Sequence, residues 1–216
     1  MIKQIRSLFV AAVAALCCSC GAVGNSGPKM DTPEATALVA QTVKKNIDLA
    51  QWKIYRILWQ EGEELGNELL RVTVYLVNEA GDCFTQTFTL SGPAKGNVSD
   101  LREATGQNRV DFEKVHGISP ERIDPAAVQK QYEEAKATIP DNYTFQSVSS
   151  YDIAEVLSSG VELFDRGKNV GAIETSFDVN VTENGKEMVE SAGKKSLQYY
   201  QIQFNVQPDG SVEMED

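Results

Sequence analysis

Thr32-Pro33-Glu34 and Asp124-Pro125 each set a capping oxygen directly before a proline. That pair starts a helix: the oxygen accepts an orphan backbone N–H, and proline forfeits no hydrogen bond in the first turn. After the first start, Ala35, Leu38, Val39, Thr42, Val43 and Ile47 fall on one helical face, which predicts a helix over 33–48. After the second, Val128, Tyr132, Ala135 and Ile139 line a face that Pro140 ends.

Behind each helix the hydrophobic period drops to two. In the first half "QWKIYRILW" (51–59) is apolar on both sides and reads as a covered strand. In 68–77, Leu70, Val72, Val74 and Leu76 alternate with Arg71, Thr73 and Tyr75. A turn at 78–82 and "CFTQTFTL" (83–90) complete a hairpin. The second half predicts a strand at 143–148, then a short helix capped by Ser150, running through Leu157 and ended by Gly160. "VELF" and 172–181 flank a turn at Asp165-Arg166-Gly167-Lys168. The strand 197–206, the turn Pro208-Asp209-Gly210 and an edge strand ending at Met214 follow.

A helix followed by an antiparallel meander thus occurs twice, with no residue identity between the copies. Runs of strands beside segregated helices define an α+β fold with helices packed on one sheet face. The halves are 32–91 and 124–216, joined by a connection (92–123) rich in Gly, Pro, Asn and charge that holds one short helix. This element order resembles that of tandem helix-on-sheet envelope proteins, the PepSY-like domains and the β-lactamase-inhibitor-protein-like inhibitors. The resemblance assigns no residue a role.

"LCCSCG" (16–21) holds three of the four cysteines. Lys3 and Arg6 precede an uncharged apolar run, "SLFVAAVAAL" (7–16), too short to span a bilayer, which needs about 20 residues. A zinc or redox reading of Cys17 and Cys20 fails for want of ligands, since the next Cys or His is Cys83. The segment 1–20 resembles the signal of bacterial lipoproteins, in which small residues precede an invariant cysteine that is diacylated on sulfur, freed by cleavage and N-acylated. The resemblance implies a signal peptide at 1–19, lipidation at Cys20, and a tether over 20–31. It departs from the pattern at Cys17, where an aliphatic residue is usual, so Cys18 stays open as the acylated residue. Several acyl chains, each CH₂ contributing about 0.8 kcal/mol, would make the anchorage stable. The implied location is a bacterial membrane, the outer rather than the inner.

Loss of Lys3 and Arg6 with the signal leaves 18 basic residues against 31 acidic ones, and net charge moves from −11 to −13. That excludes nucleic acid as a partner, since phosphates need clustered cations, and disfavours adhesion to anionic lipid. With Cys83 alone beyond the signal, the body forms no internal disulfide.

Motifs for chemistry are scarce. His116 is the single histidine and Cys83 the single body thiol, and neither sits in a nucleophile motif. "EGEELGNE" clusters Glu61, Glu63, Glu64 and Glu68 without the Asp/Asn alternation of a calcium loop. The sequence therefore predicts no catalytic residue, no metal site and no cofactor. Neutral polar rows recur on one sheet face: Thr85, Thr87 and Thr89, then Tyr199, Gln201, Gln203 and Asn205. Such side chains bind a partner at low desolvation cost, which makes these rows a candidate binding face. The opposite row, Tyr200, Ile202, Phe204 and Val206, should lie buried beneath a helix.

The sequence predicts a lipid-anchored extracytoplasmic protein with a non-enzymatic binding or structural domain. Its partners are the membrane, through the anchor, and another envelope protein or a glycan. Two alternatives stay open: an inhibitor or chaperone-like module for an envelope enzyme, and a hydrolase whose carboxylates cannot be picked out of 31 acids.

Overall fold

The computed structural model describes residues 26–104, 109–159, 161–191 and 194–215. Cys17, Cys18 and Cys20 lie outside the described residues, as does Gly160.

Both cap-proline signatures start helices, α1 (Pro33–Asn46) and α2 (Pro125–Thr138). Asp124 accepts from the Ala126 N–H, whereas Thr32 turns its hydroxyl back to the Lys29 carbonyl. The first meander is β1 (Lys53–Glu61), β2 (Leu69–Val77), β3 (Cys83–Thr89) and the short β4 (Arg102–Glu103). The second half supplies β5 (Tyr143–Glu155), a four-residue α3 (Glu162–Asp165), β6 (Ile173–Glu183), a separate hairpin of β7 (Met188–Ser191) and β8 (Lys194–Leu197), then β9 (Tyr200–Val206) and β10 (Val212–Met214). The eight other strands form one antiparallel sheet in the order β10-β9-β6-β5-β1-β2-β3-β4. Each half is a meander, and the two meet where β1 pairs with β5.

The helices cover one face. Its register is fixed by a row of directly opposed residues running Phe204–Phe177–Tyr151–Trp59–Val72–Phe88 across six strands. Trp59 stacks on Tyr151 at 4.3 Å, Tyr151 on Phe177 at 5.6 Å, and Phe177 on Phe204 at 5.4 Å. Tyr132 of α2 meets Tyr151 and Phe177 edge-on. One hydrophobic core runs through both halves, from Val39 and Val43 of α1 to Phe204 of β9.

Several local readings change. Residues 150–155 continue β5 instead of forming a helix: Ser150 pairs with Asp178 and Gln60, and Tyr151, Ile153 and Glu155 turn inward. Register shifts between Phe145 and Ser147 and between Val148 and Ser150 break the alternation that would have marked the strand. "VELF" holds the helix α3 instead of a strand, and 197–206 splits into β8 and β9, leaving Tyr199 between them. Residues 92–123 hold β4 and two 3-10 turns, Phe112–Lys114 and Pro120–Arg122, where one short helix was expected.

The fold also begins earlier than the expected tether allows. Leu69 N–H donates to the Pro28 carbonyl, Met30 N–H to the Asn67 carbonyl, and Met30 is fully buried. Residues 27–31 are thereby fixed to the sheet end where β1 closes and β2 opens.

Candidate functional site

The face away from the helices carries the predicted polar rows. Directly opposed residues share a face, so Asn205–Ser176–Asp152–Leu58–Thr73–Thr87 forms one row and Gln203–Asp178–Ser150–Gln60–Arg71–Thr89 the next. Both neutral groups thus lie on one face, but five strand spacings apart, about 24 Å. The strands between them are charged. Arg56 binds Asp152 at 2.6 Å, Arg71 Nε donates to Gln60, and the Ser150 hydroxyl donates to Asp178. Burial raises Asp178 above the usual carboxylate range, with Ser150 opposing.

Gln201 donates to Ser149, and Thr87 shares a hydrogen bond with Thr73. Tyr199 sits beside Glu64, whose hydrogen bond raises its phenol. Among the described residues the side chains of Gln203, which is exposed, and Asn205, which is half buried, make no hydrogen bond. The rows therefore do not make one neutral recognition surface: charged strands separate them, and Thr87, Tyr199 and Gln201 are engaged by neighbours. One end of this face is covered as well. Residues 109–118 lie over Tyr55, Val77 and Cys83, burying Val110 and Val115. Gly81, at φ +80, lets this strap close, because a Cβ there would stand 2.4 Å from the Val110 carbonyl oxygen.

The two reactive side chains have separate surroundings. Cys83 is buried beside the Tyr55 hydroxyl, and burial raises both groups above their ordinary ranges. His116 is exposed and lies 3.4 Å from Glu155, whose buried carboxylate accepts the N–H groups of His116 and Gly117. No hydrogen bond joins the thiol to the imidazole.

The acidic cluster is likewise divided. Glu61 is buried and accepts from Ser147, Asn180 and the Asn67 N–H. Glu68 accepts from the Gly27 N–H, while Glu63 and Glu64 are exposed. Among the described residues no group of three or more His, Cys, Asp or Glu is placed to hold a metal ion.

A different site appears on the helix side. Between the start of α2 and the ends of β5, β6 and β9 opens a cleft of about 760 Å³. Its wall is Val128 of α2, Ile153 of β5, Ile173 and Thr175 of β6, Val206 of β9, and Pro208. Ile173 and Val206 pack on the core with one side and leave the other open to the cleft. Gln131 and Tyr151 form its floor, joined by a hydrogen bond from the Tyr151 hydroxyl to Gln131 Oε1. Burial pushes the Tyr151 phenol well above its ordinary range, so it stays a donor.

Because the cleft lies where β6 begins and β9 ends, it is also bordered by Gln203 and Asn205 from the polar row. Thr85 and Thr87 are remote from it, and Tyr199 and Gln201 lie outside its lining. Sequence reasoning missed Gln131, Tyr151 and Arg122. The available signal was Gln131 itself, a polar residue on the apolar stripe of α2 between Val128 and Ala135.

Fold and site define an open-sheet α+β protein with a ligand-sized cleft at one end of its sheet. Compared with family models, curated proteins and solved structures, the chain matches none.

Proposed function

We propose that this chain is a lipid-anchored protein of the bacterial envelope whose folded part binds a ligand without transforming it. The observation that carries this reading is the opposition of two ends. Residues 27–31 are fixed where β1 meets β2, next to Asn67 and Glu68. The cleft lies at the other end, beside Ile153, Ile173 and Val206. Ile153 pairs with Ile57, four residues from Glu61 where β1 closes, so the middle of the cleft stands about 13 Å along the strands from that end, and Ile173, opposite Glu155, lies farther still. Cys20 lies seven residues before Gly27, a reach of at most about 25 Å. An acyl anchor on Cys20 would hold the body close to the bilayer with the cleft turned toward water.

The test of the anchor is metabolic labelling of the full chain in a Gram-negative host with an alkyne fatty acid. Wild type and Cys18→Ala should label, whereas Cys20→Ala should not and should accumulate unprocessed. Full labelling of Cys20→Ala that disappears in Cys18→Ala moves the anchor to Cys18. Absence of label from wild type removes the lipoprotein reading.

A further inference from the structure

We propose that the cleft at the start of α2 is a binding site for a small amphipathic carboxylate, a molecule with an apolar body and one anionic head. This deepens the binding reading above and rests on it. The volume of about 760 Å³ falls within the range of small-molecule pockets, roughly 300–1,000 Å³. Beside the buried Val128 and Ile153, Ile173 and Val206 offer apolar surface that the fold leaves partly exposed, and an apolar body would remove it from water.

The head is specified by Gln131, which is 91% buried, with only 9% of its surface exposed. Its Oε1 is engaged by the Tyr151 hydroxyl, so the amide NH₂ is the free end, and among the described residues it has no partner. That NH₂ lines the cleft, where an acceptor on an entering ligand would pair with it. Two further features favour a negative acceptor. Arg122 borders the cleft without a carboxylate partner among the described residues. The fourteen-residue α2 points its N-terminus, the positive end of its dipole, toward the same place. Glu174 also borders the cleft; water screens it and the equally exposed Arg122 alike, so the choice of head rests first on the Gln131 NH₂ and the α2 N-terminus. An ammonium head offers the Gln131 NH₂ no acceptor, and a neutral alcohol lacks the negative charge that the α2 N-terminus favours.

Three matched probes separate these chemistries: phenylbutyrate, phenylbutanol and phenylbutylamine. They would be titrated by saturation-transfer NMR into the lipidated full chain in nanodiscs, with empty nanodiscs as the blank. Phenylbutyrate should bind saturably, with phenylbutanol and phenylbutylamine each about tenfold weaker or more. Arg122→Gln, an exposed position whose change leaves the core alone, should reduce the preference for the acid over the alcohol severalfold. Ile173→Trp should abolish binding of all three by filling the wall. Gln131→Leu, accepted only if its circular dichroism and melting match wild type, should weaken the acid most.

Equal affinity for acid and alcohol would overturn the carboxylate assignment, as would tighter binding of the amine. No saturable binding by any probe, or binding indifferent to Ile173→Trp, would overturn the site. Those failures leave Cys20 labelling untouched, so the cleft and the anchor fall separately.

Discussion

Phe204 closes the aromatic row across the sheet, stacked on Phe177 and fully buried although β9 has only the short β10 beyond it. Phe204→Ala should cost about 3–5 kcal/mol, through lost burial and a cavity that the short β10 cannot fill; denaturant unfolding measures it. Its row-mates show how far the expected burial extends. Ile202 and Val206 are half buried and Tyr200 is 38% exposed, so the helix covers the row fully only at Phe204. On the opposite parity Gln201 and Gln203 are exposed, as alternation required. Gln203→Glu should therefore shift stability by no more than about 0.5 kcal/mol. Gln201→Lys gives up the hydrogen bond to Ser149 and should stay within about 1 kcal/mol. Parity was legible because strand geometry alternates whatever the context. The partner of a polar side chain was not: Tyr151 and Gln131 are 20 residues apart and meet only when α2 lies on β5.

At the scale of elements, the latch on residues 27–31 depends on one carboxylate. Lys136 of α2 and the Asn67 side chain both donate to Asp31, and Asn67 Oδ1 accepts the Val148 N–H of β5. Asn67 holds this position at φ +54, in the left-handed region that asparagine tolerates better than most residues. Burial opposes the charge on Asp31, but Lys136 and Asn67 outweigh it and hold the carboxyl below its ordinary 3.8. The sign follows directly. A carboxyl lowered on folding stabilises fully above its unfolded pKa, and that contribution is lost as pH falls through the folded one. Asp31→Asn should cost about 1–2 kcal/mol at pH 7, discounted because Lys136 is a third exposed. The gap in melting temperature between wild type and Asp31→Asn should close as pH drops below about 4. A gap that stays constant to pH 3 would show that the charge contributes nothing. Helix starts were readable because cap and proline act within one turn. The strand at 143–148 was readable too, but the rest of β5 was not, because its bulges at the serines hide a continuation that only pairing with β1 and β6 reveals.

For the whole molecule, the doubled helix-and-meander order could be read along the chain, while the joint between the halves could not. Nothing in either half states that β1 will pair with β5 to make one sheet and one core. That joint has a consequence for orientation. The sheet ends are now distinct: Glu64, Glu183 and residues 27–31 share one, and Ala172, Gly210 and the cleft share the other. With the proposed anchor on Cys20, the first end is held within the short reach of the linking residues, and the acidic body is repelled by anionic headgroups. The lipidated protein in nanodiscs bearing spin-labelled headgroups should therefore show graded broadening of its amide signals. Residues 63–66 and 183–186 should lose most intensity, whereas 171–173 and 208–211 should lose least. High salt should bring the first end closer to the bilayer by screening the repulsion, and so deepen its broadening. Stronger broadening at 171–173 and 208–211 would put the cleft against the membrane, where its ligand would have to come from the lipid phase.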